Sequence, residues 1–265
     1  MADDLNKDAC SVVAVSPSSR QRARAIAAEI GCTLHAADSP ERGELLLMVD
    51  DDDLWLQRRE GSTSAPVRVD FAAPKLLHRR RAGHNELLGR AVGVKAGRCL
   101  QVFDATAGLG RDAYVLADLG CQVQLVERSP VLVLLLRRGI ETAAISQVAA
   151  VREAAGRMSV RLADSCCLSA SPGSVIYLDP MFADRRSRAA VKKDLDALQV
   201  LHRECNDDAS ALFAWALAQP AGRVVVKRPL KGASLAGCKP SHTLRGKAIR
   251  FDVYVRPGGL CTAAN

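Results

Sequence analysis

The chain is poor in aromatic residues: five Phe, three Tyr and two Trp, 4% of 265 residues. Proteins that track single-stranded nucleic acid stack successive bases on rows of aromatic rings, and so sparse a set cannot furnish such a row. Paired metal-binding or redox cysteines are also missing. The nine cysteines include no C-x-x-C pair and no spacing typical of zinc ligands, and their odd number does not suit a closed disulfide framework. Reduced thiols, packed as small hydrophobes in a cytosolic protein, are the expectation, and no metal is expected. The first residues lack the apolar core of a signal peptide. The longest apolar runs, such as Val131–Leu136, fall far short of the roughly 20 residues that span a bilayer. A cytoplasmic protein with no membrane contact is expected. No internal repeat or low-complexity linker interrupts the chain.

Against these absences stand ordinary globular contents of 48% hydrophobic and 25% charged residues, in a chain long enough for one large domain or one with a small appendage. A net charge of +8 and a pI near 9.2 favour an anionic partner. With so few aromatics, a structured RNA recognised through its phosphates and shape suits that charge better than an extended strand.

Val102–Arg128 (VFDATAGLGRDAYVLADLGCQVQLVER) is the most informative stretch. Cys99–Asp104 reads as a buried strand and Ala105–Gly110 as a tight turn of small residues. Arg111–Leu119 reads as a helix, and Cys121–Val126 as a second strand ending on Glu127. Gly108 and Gly110 let a ligand approach the backbone, because no Cβ intervenes. An acid about 20 residues from such a turn, here Glu127, sits where a ribose presents two hydroxyls. A dinucleotide fingerprint, G-x-G-x-x-G, would bring a pyrophosphate onto the helix N-terminus. Here the pattern is instead Asp104-x-Thr106-x-Gly108-x-Gly110. A carboxylate at the strand end repels a pyrophosphate and can hold a cationic amino-acid group. S-adenosylmethionine, with an ammonium, a sulfonium, a ribose and no phosphate, matches that set.

A second motif follows at Val175–Phe182 (VIYLDPMF), where an apolar strand runs into Asp179-Pro180-Met181-Phe182. Pro180 fixes its own φ and biases Asp179 toward an extended conformation, so the segment cannot continue as helix. Such a turn presents the Asp179 carboxylate and nearby carbonyls to a planar ligand, with the Phe182 ring for stacking. That suits an exocyclic amine on a base, which needs acceptors for its N–H groups and a face to lean on.

These motifs together resemble the small-subunit ribosomal RNA methyltransferase J family, S-adenosylmethionine-dependent enzymes that methylate guanine N2 in 16S ribosomal RNA. The resemblance rests on DATAGLGRD (Asp104–Asp112), VER (Val126–Arg128), YLDPMF (Tyr177–Phe182) with VKKDL (Val191–Leu195), and VVVKRP (Val224–Pro229). VDF (Val69–Phe71) and HRRR (His78–Arg81) extend it, so that it spans roughly residues 66 to 256. It implies cofactor contacts at Arg111, Asp112, Glu127, Arg128 and Asp179, beside Asp104, Gly108 and Gly110 of the turn. It implies a further pair within Ala163–Cys167 (ADSCC), where Asp164-Ser165 or Cys166-Cys167 fits. Met181 stands where the wider amino-methyltransferase motif has a second proline, which leaves the turn less rigid.

The breaks along the chain organise the rest. Cys10–Val15, Glu44–Val49, Leu54–Arg59 and Val67–Phe71 read as strands and Ser19–Ile30 as a helix ending at Gly31, giving a small α+β region over residues 1–73. The acidic turn Asp50–Asp53 reads as solvated rather than as a metal site. Residues 74–265 hold the methyltransferase region. Strands at Val160–Ala163, Val175–Leu178, Gly222–Val226 (ended by Lys227-Arg228-Pro229) and Phe251–Val255, with a helix at Asn206–Ala218, complete an α/β, doubly wound, mostly parallel Rossmann-like sheet of the class I methyltransferase kind. Its ligand is expected at the carboxyl ends of the strands, beside Asp104, Glu127 and Asp179.

Two basic runs bracket the motifs. Lys75–Arg98 includes Arg79, Arg80 and Arg81, and the segment after Phe182 carries Arg185, Arg186 and Arg188. Phosphate neutralisation dominates affinity for nucleic acid, so these six arginines are expected to contact RNA, either 16S ribosomal RNA or a small-subunit particle. Asp179 and the Pro180 carbonyl would accept from a guanine N2 amine, with Phe182 stacking; whether Asp179 also removes a proton stays open. Two rivals stand beside this reading: a methyltransferase acting on another amine, DNA adenine or a protein amide, and a non-catalytic RNA-binding assembly factor.

Overall fold

The structure, a computed structural model, describes residues 10–36, 43–59, 66–74, 76, 86–180, 200–201 and 209–256. These divide into two compact units. The first gathers 10–36, 43–59, 66–69, 129–138 and 200–201, and the second gathers 70–74, 76, 86–128, 139–180 and 209–256.

The first unit holds β1 (Cys10–Ala14), α1 (Arg20–Ile30), β2 (Leu34–His35), β3 (Leu45–Val49) and β4 (Leu54–Arg58). The strands pair in the order β2-β1-β3-β4, with β1 parallel to both neighbours and β3 antiparallel to β4. Helix α1 buries Ala23, Ile26, Ala27 and Ile30, the three- and four-residue spacing of a single face. It ends where Gly31 turns left-handed at φ 68°. The acidic turn between β3 and β4 is braced by arginines. Arg22 donates to the carbonyls of Asp50 and Asp51 at 2.6 and 2.9 Å, and Arg68 pairs with Asp53 at 3.0 Å. Among the described residues no group of His, Cys, Asp and Glu is arranged to hold a metal ion. The strand expected over Val67–Phe71 is only a single bridge, Val67 to Leu56. Phe71 instead stacks on Tyr114 within the second unit, ring centroids 5.1 Å apart.

Further along the chain come α2 (Glu86–Val92), β5 (Gln101–Asp104), α3 (Arg111–Asp118), β6 (Gln122–Glu127), α4 (Pro130–Ala144) and α5 (Ala149–Ala155). They are followed by β7 (Met158–Leu162), β8 (Val175–Leu178), α6 (Ala209–Ala218), β9 (Arg223–Pro229), β10 (His242–Arg245) and β11 (Ile249–Val255). The seven strands β5–β11 form one sheet in the order β10-β11-β9-β8-β5-β6-β7. Neighbours from β9 to β7 are parallel, while β11 lies antiparallel between β9 and β10. All four residues of β8 are buried, as strands covered on both faces require. The doubly wound, mostly parallel sheet expected from the sequence is therefore present. Its order reverses at β5: β6 and β7 extend to one side, and β8 lies on the other. The carboxyl ends of β5 and β8 diverge there and open the crevice in which such folds bind ligands.

Among the boundaries that differ from expectation, two have identifiable reasons. Strand β9 does not stop at Val226; it pairs with β11 as far as Pro229 opposite Ile249. The partner continues the ladder after β8 has ended, and proline is tolerated at a strand's last residue. Strand β7 starts at Met158, two residues early, because Met158 pairs with Val123 of β6. Helices α2, α4 and α5 and strand β10 were not legible as elements. No helix among the described residues is long and apolar enough to cross a membrane.

Candidate active site

Strand β5 delivers Asp104 to the crevice, and the chain then turns through Ala105–Gly110 into α3. Gly108 and Gly110 adopt left-handed conformations at φ 54° and 68°, which an L side chain at either position would strain. Asp104 is 2% exposed and accepts from the Thr106 amide at 3.1 Å. Burial pushes its carboxyl from the usual 3.8 up to about 8, and the neighbouring carboxylates of Asp112, Asp179 and Glu127 push the same way against the Thr106 hydrogen bond. At neutral pH Asp104 is thus mostly protonated until a cation arrives beside it.

The two sequence motifs meet at Thr106. Its hydroxyl accepts from the Asp179 amide at 2.7 Å, and the Ala105 amide donates to the Tyr177 carbonyl at 3.0 Å. The turn after β5 is therefore tied to the end of β8, 73 residues later. Glu127, buried at the end of β6, accepts from the Gly108 amide at 3.0 Å. In the ADSCC segment, Ser165 is buried and donates to the Ala105 carbonyl at 2.9 Å. Asp164 is exposed and accepts from the Cys166 amide at 2.8 Å, opening a short 3₁₀ turn that leaves Cys166 and Cys167 exposed. Partial desolvation and the Asp164 carboxylate raise the Cys166 thiol, and the Arg128 guanidinium works the other way.

Lys227 is the residue that sequence reasoning passed over. From the extended part of β9 its ammonium reaches Asp112 at 2.5 Å and Asp179 at 2.8 Å, with the lysine side chain only 14% exposed. Burial works against its charge, but the two carboxylates outweigh burial and hold the ammonium above its ordinary range. Tyr177, buried in β8, donates its hydroxyl to the same Asp112 oxygen at 2.7 Å. Burial first, then Asp112 and Asp179, hold this phenol well above its usual range, so it remains a donor. Its sequence signal is weak: a lysine directly after the apolar run Val224–Val226, with no carboxylate nearby in the chain to answer it.

Asp104, Gly108, Gly110, Asp112, Glu127, Ser165 and Asp179 are thus joined by one set of contacts around the turn. Pro180 follows Asp179 and is buried, Arg111 is exposed at the start of α3, and Arg128 is half-buried. Phe182, Arg79, Arg80, Arg81, Arg185, Arg186 and Arg188 lie outside the described residues.

The donor set suits a cationic, ribose-bearing ligand. Four carboxylates converge where Lys227 already serves two of them, and the Asp104 carboxyl is one whose ionisation a neighbouring cation would favour. Beside the left-handed Gly108 the space is open: a Cβ there would meet nothing closer than the Thr106 carbonyl at 4.0 Å.

Comparison with known proteins gives the same answer. A family described as "Putative SAM-dependent methyltransferase" matches residues 32–256. The ribosomal RNA small subunit methyltransferase J of Pseudomonas fluorescens is 43% identical over 220 residues, 81% of this chain and 84% of the relative. Its counterpart from Thioalkalivibrio sulfidiphilus is 42% identical over 245 residues, covering 89% and 93%. A crystal structure of a SAM-dependent methyltransferase from Neisseria gonorrhoeae superposes with a TM-score of 0.71 at 28% identity, covering 94% of this chain and 97% of that one. The cofactor is S-adenosylmethionine, and the chain belongs to the ribosomal RNA small subunit methyltransferase J family of S-adenosylmethionine-dependent methyltransferases.

Proposed function

We propose that this enzyme transfers a methyl group to the N2 amine of a guanosine in 16S ribosomal RNA, as naked RNA or in a small-subunit particle. The observation that carries the reading is the fixed position of Asp179. Its amide is bound by Thr106 of the cofactor turn and its carboxylate by Lys227. An acceptor is thereby held at the mouth of the crevice, beside the turn expected to carry the cofactor. The names of both relatives reported above, ribosomal RNA small subunit methyltransferase J, support the choice of substrate.

In this reading Glu127 holds the ribose hydroxyls, and Asp104 and Asp112 face the cationic end of the cofactor. Gly108 and Gly110 permit close approach, while Arg111, Arg128 and the Asp164–Cys166 turn close the remaining sides. When bound, S-adenosylmethionine supplies a methyl group activated by its sulfonium. The protein's own task is then to position the amine and exclude water. Asp179 and the Pro180 carbonyl accept the two N–H groups of the amine and aim its lone pair, with Phe182 against the base. Arg79–Arg81 and Arg185, Arg186 and Arg188 neutralise phosphates.

Transfer of labelled methyl to ribosomal RNA from a strain lacking the gene tests the reading. Incorporation into 16S RNA at a guanine N2 is expected. Labelling of DNA or protein alone, or none at all, would overturn it. Asp179→Ala should abolish turnover with RNA binding nearly intact, because its role lies in the transition state. Methylation by that variant at the wild-type rate would reduce Asp179 to a structural bend.

A further inference from the structure

From Arg223 to Phe251 the chain carries basic side chains and not one carboxylate. The sheet gathers part of this charge into a row. Arg228 of β9 stands opposite Arg250 of β11, and Arg250 stands opposite Arg245 of β10. Directly opposed residues share a face, and like charges so placed repel. Asp252 is the carboxylate that answers them, and it is committed to Arg250 through two hydrogen bonds of 2.9 Å.

The inner two arginines shape the backbone. Arg250 donates to the carbonyls of Pro229, Leu230 and Gly232 at 3.0, 3.1 and 2.5 Å. Arg228 donates to the Ala233 carbonyl through two nitrogens, at 3.0 and 2.5 Å. Both are buried, so the loop leaving β9 is clamped from beneath by fixed positive charge. The neighbouring turn is equally restrained: the Gly246 amide donates to the Ile249 carbonyl at 2.8 Å, and a Cβ on Gly246 would lie 3.0 Å from Leu87. On this rigid base Lys231, Arg245 and Lys247 are exposed.

Register places the base beside the chemistry. Leu178 of β8 pairs with Val226 of β9, which sets Lys227 level with Asp179. Each strand residue advances about 3.3 Å, so Leu230 begins the clamped loop roughly 10 Å beyond Asp179, on the same edge of the sheet.

We propose that Lys231, Arg245 and Lys247 form a docking surface for the phosphate backbone of the RNA flanking the target nucleotide. This rests on the reading that the substrate is RNA, and it adds a third contact surface to the two basic runs. Exposed lysines and arginines on a clamped backbone lose little further freedom when phosphate arrives, and the buried pair beneath them adds to the attractive field. The surface would hold the strands on either side of a base delivered to Asp179.

The test compares the wild-type chain with a triple variant, Lys231→Gln, Arg245→Gln and Lys247→Gln. Its control removes equal charge from exposed sites elsewhere: Arg20→Gln, Arg24→Gln and Arg152→Gln. Filter binding to 16S ribosomal RNA across a salt series, calorimetry with S-adenosylhomocysteine, and single-turnover methylation are measured on each. The docking variant should bind RNA roughly tenfold or more weakly, with a salt slope shallower by roughly 2–3, while keeping its cofactor affinity. The control variant should keep most of the wild-type slope. Unchanged RNA affinity and slope in a docking variant whose wild-type parent methylates RNA would overturn this surface and leave the function standing. Equal losses in both variants would also overturn it, by showing that net charge alone matters. A wild-type chain that neither binds nor methylates ribosomal RNA would overturn the function and the surface together.

Discussion

At the residue scale, Lys227 sets the terms on which two acids can be used. Asp112 and Asp179 approach one ammonium from two directions, and all three side chains are largely buried. Removing one partner from a buried ion pair costs about 3–5 kcal/mol, because the charge left behind has lost its compensation. Lys227→Met should therefore lower the unfolding free energy by about that amount in a denaturation experiment. Because Asp179 also loses its orientation, the single-turnover rate should fall further than cofactor affinity does. Lys227→Arg should recover part of the rate; a Met variant with wild-type stability and rate would show the bridge to be dispensable. Asp104 gives a prediction of opposite character. Its folded carboxyl titrates near 8 and its unfolded one near 3.8, so the folded state binds the extra proton between these values. The stability it contributes is complete below about pH 3.8 and is lost progressively as pH rises through 8. Asp104→Asn removes this dependence, so the melting temperature of the ligand-free variant should gain on wild type from pH 5 to pH 8 and hold level above. Asp104 and Glu127 were legible in the sequence because each closes an apolar run before a turn. Lys227 was not, because its partners lie 48 and 115 residues away and the run looked finished before it.

At the scale of elements, the turn after β5 is both cradle and cross-link. Its left-handed glycines give it the shape, and Thr106 binds it to β8. Thr106→Val keeps the volume and deletes the acceptor for the Asp179 amide. An unmatched buried amide costs about 1–3 kcal/mol, so the variant should melt earlier. It should also lose turnover while still retaining Glu127-dependent cofactor binding by calorimetry. Unchanged turnover would mean that Asp179 is placed by Lys227 alone. Strand–turn–helix–strand order around this turn could be read from the sequence because its apolar periods and glycines are local. The ends of β9 and the existence of β10 could not, because they depend on pairing with β11, a partner that no local pattern reveals. The short, half-exposed β10 also lacks the apolar run by which strands are recognised.

At the scale of the whole molecule, the charge distribution divides the work. Carboxylates gather around the turn at the carboxyl ends of β5, β6 and β8, and cations line the β9–β11 edge a few residues further on. In the proposed reading the acidic crevice favours a sulfonium over a pyrophosphate, and the basic edge takes up phosphates. The overall charge of +8 hid this division, since a composition carries no positions. The arrangement leads to a ligand test on the intact chain. A ligand present at 100 times its dissociation constant stabilises the folded state by about 2.7 kcal/mol. For a protein of this size each kcal/mol raises the melting temperature by roughly 2–4 °C. S-adenosylhomocysteine at that excess should thus raise the midpoint by roughly 5–10 °C. NAD should leave the midpoint where it was, because its pyrophosphate would meet the carboxylates of Asp112 and Asp179 and, unlike a sulfonium, would not favour ionisation of Asp104. Glu127→Ala should shrink the S-adenosylhomocysteine shift, since hydrogen bonds from ribose hydroxyls to a charged group contribute about 1.5–3 kcal/mol. A larger shift with NAD than with S-adenosylhomocysteine would contradict the acidic crevice, and a full shift in the Glu127 variant would remove Glu127 from the ribose.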